Sequence, residues 1–288
     1  MPSEEIKRSQ PIIGADVVRI MVLETDRPHP DTRSEKGHFG DIVHRHFSAA
    51  GAEHVPPLGV ETDQVFVVEE KEGGRMPAYE EFEGFHGLLI TGSMYDAHGD
   101  NEWILKLLDL LKQLWTKKPN FMFTGVCFGH QVLARLLGAP VEPSPRGDWE
   151  LGHCAIELNP TGRRLFRTAA PRVHLHQMHQ DHVTRVPTAR SSAGLLSESD
   201  PAVECWGRSD HTEIQGLYLP NRLFTTQAHL AFDEDMVRRQ IRMREESGGI
   251  QDEEHANRAK ETAHLEHDGR EVAKAILRLF RYDDKERC

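Results

Sequence analysis

The stretch FMFTGVCFGHQVLARLL, residues 121–137, passes from a short apolar run through a glycine-flanked cysteine into apolar residues at helical spacing. Phe121 to Thr124 reads as a strand that gives way at Gly125, and Gln131 to Leu137 as the helix that follows. Between them, Gly125-Val126-Cys127-Phe128-Gly129 is G-x-C-x-G, the cysteine counterpart of the G-x-S-x-G nucleophile elbow. A strained turn lifts the nucleophile above the sheet, and glycines on either side leave room where a side chain would collide with the neighbouring strand and helix. Placing the sulfur at a helix N-terminus favours thiolate, which predicts a pKa below the roughly 8.5 of a free thiol. The amide of Phe128 faces the same space and is a candidate oxyanion donor. A buried structural cysteine between turn glycines has the same local pattern, so the context must decide.

Outward from this stretch the first half alternates strands and helices. Asp16 to Leu23 reads as a buried strand, Asp41 to Ala50 as a helix after a loop carrying Pro28, Pro30 and Gly37, and Gln64 to Val68 as a second strand. Gly87 to Ile90 is a short apolar strand closed by Thr91-Gly92-Ser93, and Trp103 to Trp115 a helix stopped by Pro119. This alternation predicts an α/β fold with a mostly parallel central sheet flanked by helices and with functional residues at the carboxyl ends of its strands. After Leu151 short strands take over, at Leu151 to Leu158, Ala193 to Ser197, Ala202 to Trp206, Ile214 to Tyr218 and Leu223 to Thr226, which predicts a smaller antiparallel extension. Asp233 to Arg244 reads as a helix and Glu271 to Phe280 as an amphipathic closing helix. The polar segment Glu245 to Gly269 between them suits either a mobile insertion or an exposed helix.

The bulk properties exclude several classes. With 38% hydrophobic and 28% charged residues over 288 positions, the chain reads as globular, and no apolar run reaches the length of a membrane span. A formal net charge of −11 opposes a phosphate backbone, so no nucleic-acid partner is expected. The polar, acidic N-terminus does not resemble an export signal, which predicts a cytoplasmic location. Cysteines at 127, 154, 205 and 288 form no C-x-x-C pair, and Cys288 is expected to be an exposed free thiol.

The longer string GVCFGHQ resembles the nucleophile motif of class I glutamine amidotransferases, and further segments resemble that family in the same order. They are Thr91-Gly92-Ser93 after GLLI, Trp149-Glu150-Leu151-Gly152, His179-Gln180-Asp181-His182-Val183 and Thr226-Gln227-Ala228-His229. The resemblance spans about residues 16 to 245. It implies a flavodoxin-like fold of class I glutamine amidotransferase type over residues 12–246, with residues 247–288 packing on the same domain. Cys127 is then the nucleophile, His229 its base, Gly92 and Phe128 the oxyanion hole, and Ser93, Gln131, His179 and Asp181 pocket residues, Asp181 facing a substrate ammonium.

The family usually continues His-Pro-Glu, its glutamate orienting the imidazole. Here the chain reads His229-Leu230-Ala231-Phe232-Asp233, with alanine in place of the carboxylate. Asp233 is the remaining candidate for a third catalytic residue, although N-capping the next helix is a sufficient role for it. A Cys-His pair can act without a third member.

Eighteen histidines invite a metal reading, above all His174, His176, His179 and His182 in VHLHQMHQDHV, where alternation in a strand would put His174 and His176 on one face. The spacing matches no closed zinc site, and G-x-G-x-x-G and P-loop patterns are absent, so neither metal nor organic cofactor is expected. What the resemblance implies is a cysteine hydrolase of γ-glutamyl amide bonds acting through a thioester, on glutamine or a γ-glutamyl peptide such as a glutathione conjugate. Two alternatives stay open: a glutaminase that donates ammonia to a separate synthetase, and a catalytically impaired binding protein on the same fold. Homo-oligomerisation is compatible with each.

Overall fold

The computed structural model describes residues 7–10 and 14–280. Cys288 therefore lies outside the described residues. In the first half the elements are β1 (Lys7–Arg8), β2 (Asp16–Glu24), α1 (Pro30–Lys36), α2 (Phe39–Ala52), β3 (Leu58–Phe66), a 3-10 turn (Tyr79–Phe82), β4 (Gly87–Ile90), α3 (Glu102–Lys117), β5 (Met122–Val126) and α4 (Phe128–Leu136). The second half holds β6 (Val141–Pro143), β7 (Glu150–Leu158), α5 (Pro160–Phe166), β8 (Arg172–His179), β9 (Asp181–Val183), β10 (Glu204–Cys205), β11 (Gly207–Arg208), β12 (Leu217–Leu219), β13 (Leu223–Thr226), α6 (Glu234–Glu246), α7 (Glu253–Glu261) and α8 (Gly269–Phe280).

The main sheet has the order β1-β3-β2-β4-β5-β13-β12-β10. Its five central strands are parallel, and the edges are antiparallel. Both faces are covered, which explains the unbroken apolar runs of the central strands. Met21, Leu23, Leu88 and Phe123 pack under α3 and α4 with Trp103 and Phe128. Ile20, Val22, Leu89 and Met122 pack on the opposite face with Phe47 of α2 and Ile276 of α8. A separate antiparallel sheet, β11-β7-β8, pairs Glu150 at the start of β7 with His179 at the end of β8.

Several expected elements are placed differently. The Gln64 to Val68 strand is the end of a longer one that begins at Leu58. The proline-bearing loop after β2 contains α1, with His29 as its N-cap and Pro30 in its first turn, where a missing N–H costs nothing. Strand β5 runs on through Gly125 and Val126, and α4 starts at Phe128 rather than Gln131. The strand expected at Ala193 to Ser197 does not form, because Ala193 and Gly194 have φ of 49° and 87°, which turns the chain. The strands expected at Ala202 to Trp206 and Ile214 to Tyr218 shrink to β10 and β12.

The polar segment after α6 is not featureless. It forms α7, which buries only Ala256 and Ala259 against β7 and α6, with Ala263 just beyond it. Gly152 makes this close packing possible, since a Cβ there would stand 2.8 Å from the Cα of Ala259. Alanine contacts of this kind leave little trace in a hydropathy pattern.

Candidate active site

Cys127 stands between β5 and α4 with φ 53° and ψ −106°. A non-glycine residue with positive φ is strained, and it persists only where its surroundings over-determine it. Here its N–H donates to the Thr226 carbonyl of β13 at 2.9 Å, and its own carbonyl accepts from the Gln131 N–H at 3.1 Å. The N–H of Gly129 donates to the Thr91 carbonyl at 3.2 Å. Both elbow glycines are sterically required: a side chain on Gly125 would run into the Gly129 backbone, and one on Gly129 into the Ile90 carbonyl. The local pattern G-x-C-x-G is thus fixed by its contacts with three strands.

Three strand ends converge on the sulfur. A Cβ placed on Gly92 would lie 3.0 Å from Cε1 of His229 and 3.5 Å from Cβ of Cys127, so the glycine keeps open the space between Cys127 and His229. The amide of Phe128, first residue of α4, interacts with the sulfur. His229 is held through its N–H, which donates to the His176 carbonyl of β8 at 2.9 Å. Its ring stacks on Phe232 at 4.0 Å and 14°. Its Nε2 is buried without a hydrogen-bond partner.

Burial sets the charge state of this pair. It pushes the Cys127 thiol up to about 12, outweighing the Phe128 amide, the Arg244 charge and Gln227, all of which act the other way. The expected thiolate is therefore not the resting form, because removing the sulfur from water costs more than one helix end returns. Burial also lowers His229 to about 3, helped by the nearby His179 and His176. At neutral pH the pair rests as thiol and neutral imidazole, with a proton to give and a nitrogen to receive it.

The other expected site residues fall into two groups. Gly92 and Ser93 line the same cavity as Cys127 and His229, and the Ser93 hydroxyl donates to the Thr25 carbonyl at 2.8 Å. Gln131, His179 and Asp181 do not line it. The Gln131 amide donates to the Asp181 carbonyl at 2.8 Å and the Gln227 carbonyl oxygen at 3.2 Å. His179 is wedged between Glu150 at 2.8 Å and the Asp181 carbonyl at 2.9 Å. The Asp181 carboxylate lies 3.2 Å from His98, and burial raises its pKa against that partner. Asp233 caps α6 by accepting from the Met236 N–H at 3.1 Å, and its other oxygen pairs with Lys36. Both carboxylate oxygens are thus engaged away from His229, and Asp233 serves the helix end.

The cavity also contains residues that sequence reading passed over. Asp26, Arg27, Gln240 and Arg244 supply its polar wall, and Phe39, Ile42, Val43, Phe47 and Phe232 much of its apolar one. Arg244 sits in an amphipathic helix among three other arginines, and nothing in the local pattern separates it from them.

Among the described residues, Glu150, His179 and His211 form a group whose ligand atoms lie within 4.8 Å of one another, close enough for a metal ion. Glu150 is already occupied, accepting from His179 and from Gln215 Nε2 at 2.8 Å each. His174 and His176 share a face of β8, as expected, and both pack on His153, at 5.1 and 5.6 Å between ring centres.

Comparison with known proteins gives a consistent result. The family model for glutamine amidotransferase class-I matches residues 63–233, more than half of the chain. A glutamine amidotransferase-like protein of Schizosaccharomyces pombe is 28% identical over 227 residues, covering 78% of this chain and 83% of that protein. Gamma-glutamyl peptidase 2 of Arabidopsis thaliana is 28% identical over 183 residues, 63% of this chain and 68% of the peptidase. Among solved structures, a glutamine amidotransferase from Thermotoga maritima superposes with a TM-score of 0.59 at 17% identity, covering 91% of this chain and 97% of that one.

Proposed function

The chain belongs to the class I glutamine amidotransferase family, and from that premise we propose that it is a cysteine hydrolase cleaving γ-glutamyl amide bonds through a thioester. The observation that carries this reading is the convergence of Cys127, Gly92 and His229 at one cavity, on a backbone strained only at the cysteine among the three. In the proposed reaction His229 takes the thiol proton as the sulfur attacks the γ-carbonyl, and the amides of Gly92 and Phe128 hold the resulting oxyanion. Collapse expels the amine, which leaves with the proton from His229. Water, deprotonated by the same imidazole, then releases glutamate and restores the thiol. Neither metal nor organic cofactor enters these steps.

The reading places the enzyme in the cytoplasm. Among the described residues no helix is long and apolar enough to cross a membrane. A glutaminase serving a separate synthetase would use the same steps with ammonia as the amine. One observation favours a second reading, a binding protein with an impaired dyad: among the described residues no carboxylate pairs with His229, Asp233 being engaged by Lys36, and burial holds Cys127 protonated. Incubation with glutamine, a γ-glutamyl dipeptide and a glutathione S-conjugate, with glutamate read by mass spectrometry, separates these possibilities. Release from at least one substrate is expected, with Cys127→Ala reducing turnover by on the order of 10⁴-fold. If glutamate appears from none, and a glutamine-analogue electrophile leaves Cys127 unmodified, the hydrolase reading fails.

A further inference from the structure

Arg244, near the end of α6, faces the cavity of Cys127 and is half-buried in its wall. Its guanidinium lies 5.1 Å from the centre of the Trp149 ring. Among the described residues no hydrogen bond or ion pair reaches that guanidinium, whereas Arg238 and Arg239 on the same helix are paired with Glu234 and Glu35. Asp26, Asp96 and Asp181 act on it through space without a hydrogen bond to it, and Asp26 is itself engaged, accepting from the backbone N–H groups of Arg27 and Met94 at 2.8 Å each and from Lys71 at 3.1 Å. The other cation of the wall, Arg27, donates through one terminal nitrogen to the Glu72 carbonyl and lies 4.6 Å from the centre of the Phe66 ring, with its Nε left without a partner. A partly desolvated cation without a counter-ion is costly, and it fits a place where an anion arrives with the ligand. A guanidinium without a partner among the described residues has its donors available for a bidentate carboxylate.

We propose that Arg244 is an anion subsite for a carboxylate on the leaving amine, so that the bond cleaved joins the γ-glutamyl group to an amino acid or short peptide rather than to ammonia. This rests on the γ-glutamyl reading above. The carboxylate is assigned to the leaving side because Asp181, which the family resemblance sets against the substrate ammonium, does not line this cavity. The apolar wall of Phe39, Ile42, Val43 and Phe47 gives the body of such a leaving group a surface to lie on.

The test compares γ-glutamylglycine with γ-glutamylmethylamide, which share the scissile amide and differ in the leaving-side carboxylate. The wild-type chain is expected to prefer the glycine substrate by about tenfold or more in kcat/KM, the range of a charged hydrogen-bonded pair. Arg244→Gln should collapse that ratio toward one, and Arg244→Lys should keep part of it. Circular dichroism and melting curves establish that both variants fold. A ratio unchanged in Arg244→Gln, or an equal loss on both substrates, overturns the subsite. So does a loss that follows the α-carboxylate, read with the α-carboxamide analogue. Calorimetry on Cys127→Ala, with and without Arg244→Gln, keeps the two readings apart. If the wild type turns over neither substrate but Cys127→Ala binds γ-glutamylglycine in an Arg244-dependent way, the hydrolase reading falls and the subsite stands. Without turnover or binding, both fall.

Discussion

Two buried histidines at the ends of strands, His179 and His229, are equipped in opposite ways. His179 has a carboxylate, Glu150, at 2.8 Å on one nitrogen and a backbone carbonyl at 2.9 Å on the other. His229 has a stacked phenyl ring and a buried Nε2 with no partner. The arrangement expected of a catalytic triad, an imidazole oriented by a carboxylate, thus exists in this molecule on the histidine that does not line the cavity. At His179 it braces β7 against β8, and the surroundings keep the Glu150 pKa lowered: burial raises it, but the hydrogen bonds from His179 and Ser209, with His211 nearby, together outweigh burial. At His229 orientation comes from packing and a backbone hydrogen bond. A buried carboxylate that holds two hydrogen bonds is costly to remove, whereas a nitrogen without a partner is free to take up a proton.

The strongest way to break this contrast is to remove the carboxylate from the structural pair. Glu150→Ala leaves His179 and Gln215 without their acceptor and is expected to cost about 3–5 kcal/mol, a fall in melting temperature of roughly 6–20 °C. A variant that melts within about 2 °C of the wild type would show that the pair contributes nothing to the scaffold.

Acid sharpens the contrast from the other side. His130 and His229 are lowered to about 3, and His46 and His176 to about 4, in each case chiefly by burial. Between those values and the ordinary value of about 6.5 the unfolded chain binds more protons than the native one, so stability rises with pH through this window and is lost as pH falls through it. Glu24, raised to about 7 by burial, works in the opposite sense, as do Asp63 and Asp181, but the lowered imidazoles outnumber these carboxylates. The melting temperature should therefore drop by several degrees between pH 7 and pH 5. A flat profile by scanning fluorimetry would mean that these imidazoles are hydrated in solution.

The smallest effect is expected at Asp233. Asp233→Ala removes a helix cap and the Lys36 pair, a loss of about 1 kcal/mol, and should leave turnover of the γ-glutamyl substrate within about twofold. If the folded variant instead loses tenfold in kcat at constant KM, a carboxylate does reach His229 during turnover, and the two histidines are more alike than the resting structure shows.

How much was legible beforehand follows from the range of each interaction. The elbow was readable because its requirements are local: a strand, two glycines, a cysteine and a helix start within a few residues of one another. Strand β4 and the strand carrying Thr226 were readable because burial on both faces leaves a continuous apolar run. Helix α7 stood only as one of two options, since its contact surface is alanine against a glycine, and the turn at Ala193 was missed because apolar residues there pack without pairing.

The sequence alone determined the elbow around Cys127, its strained setting and the α/β alternation, because each depends on neighbours along the chain. Tertiary structure alone decided the protonation of Cys127, the engagement of Asp233 away from His229 and the arrival of Arg244 at the cavity. Burial and long-range charge set all three, and they depend on residues that are distant along the chain and brought together only when it folds.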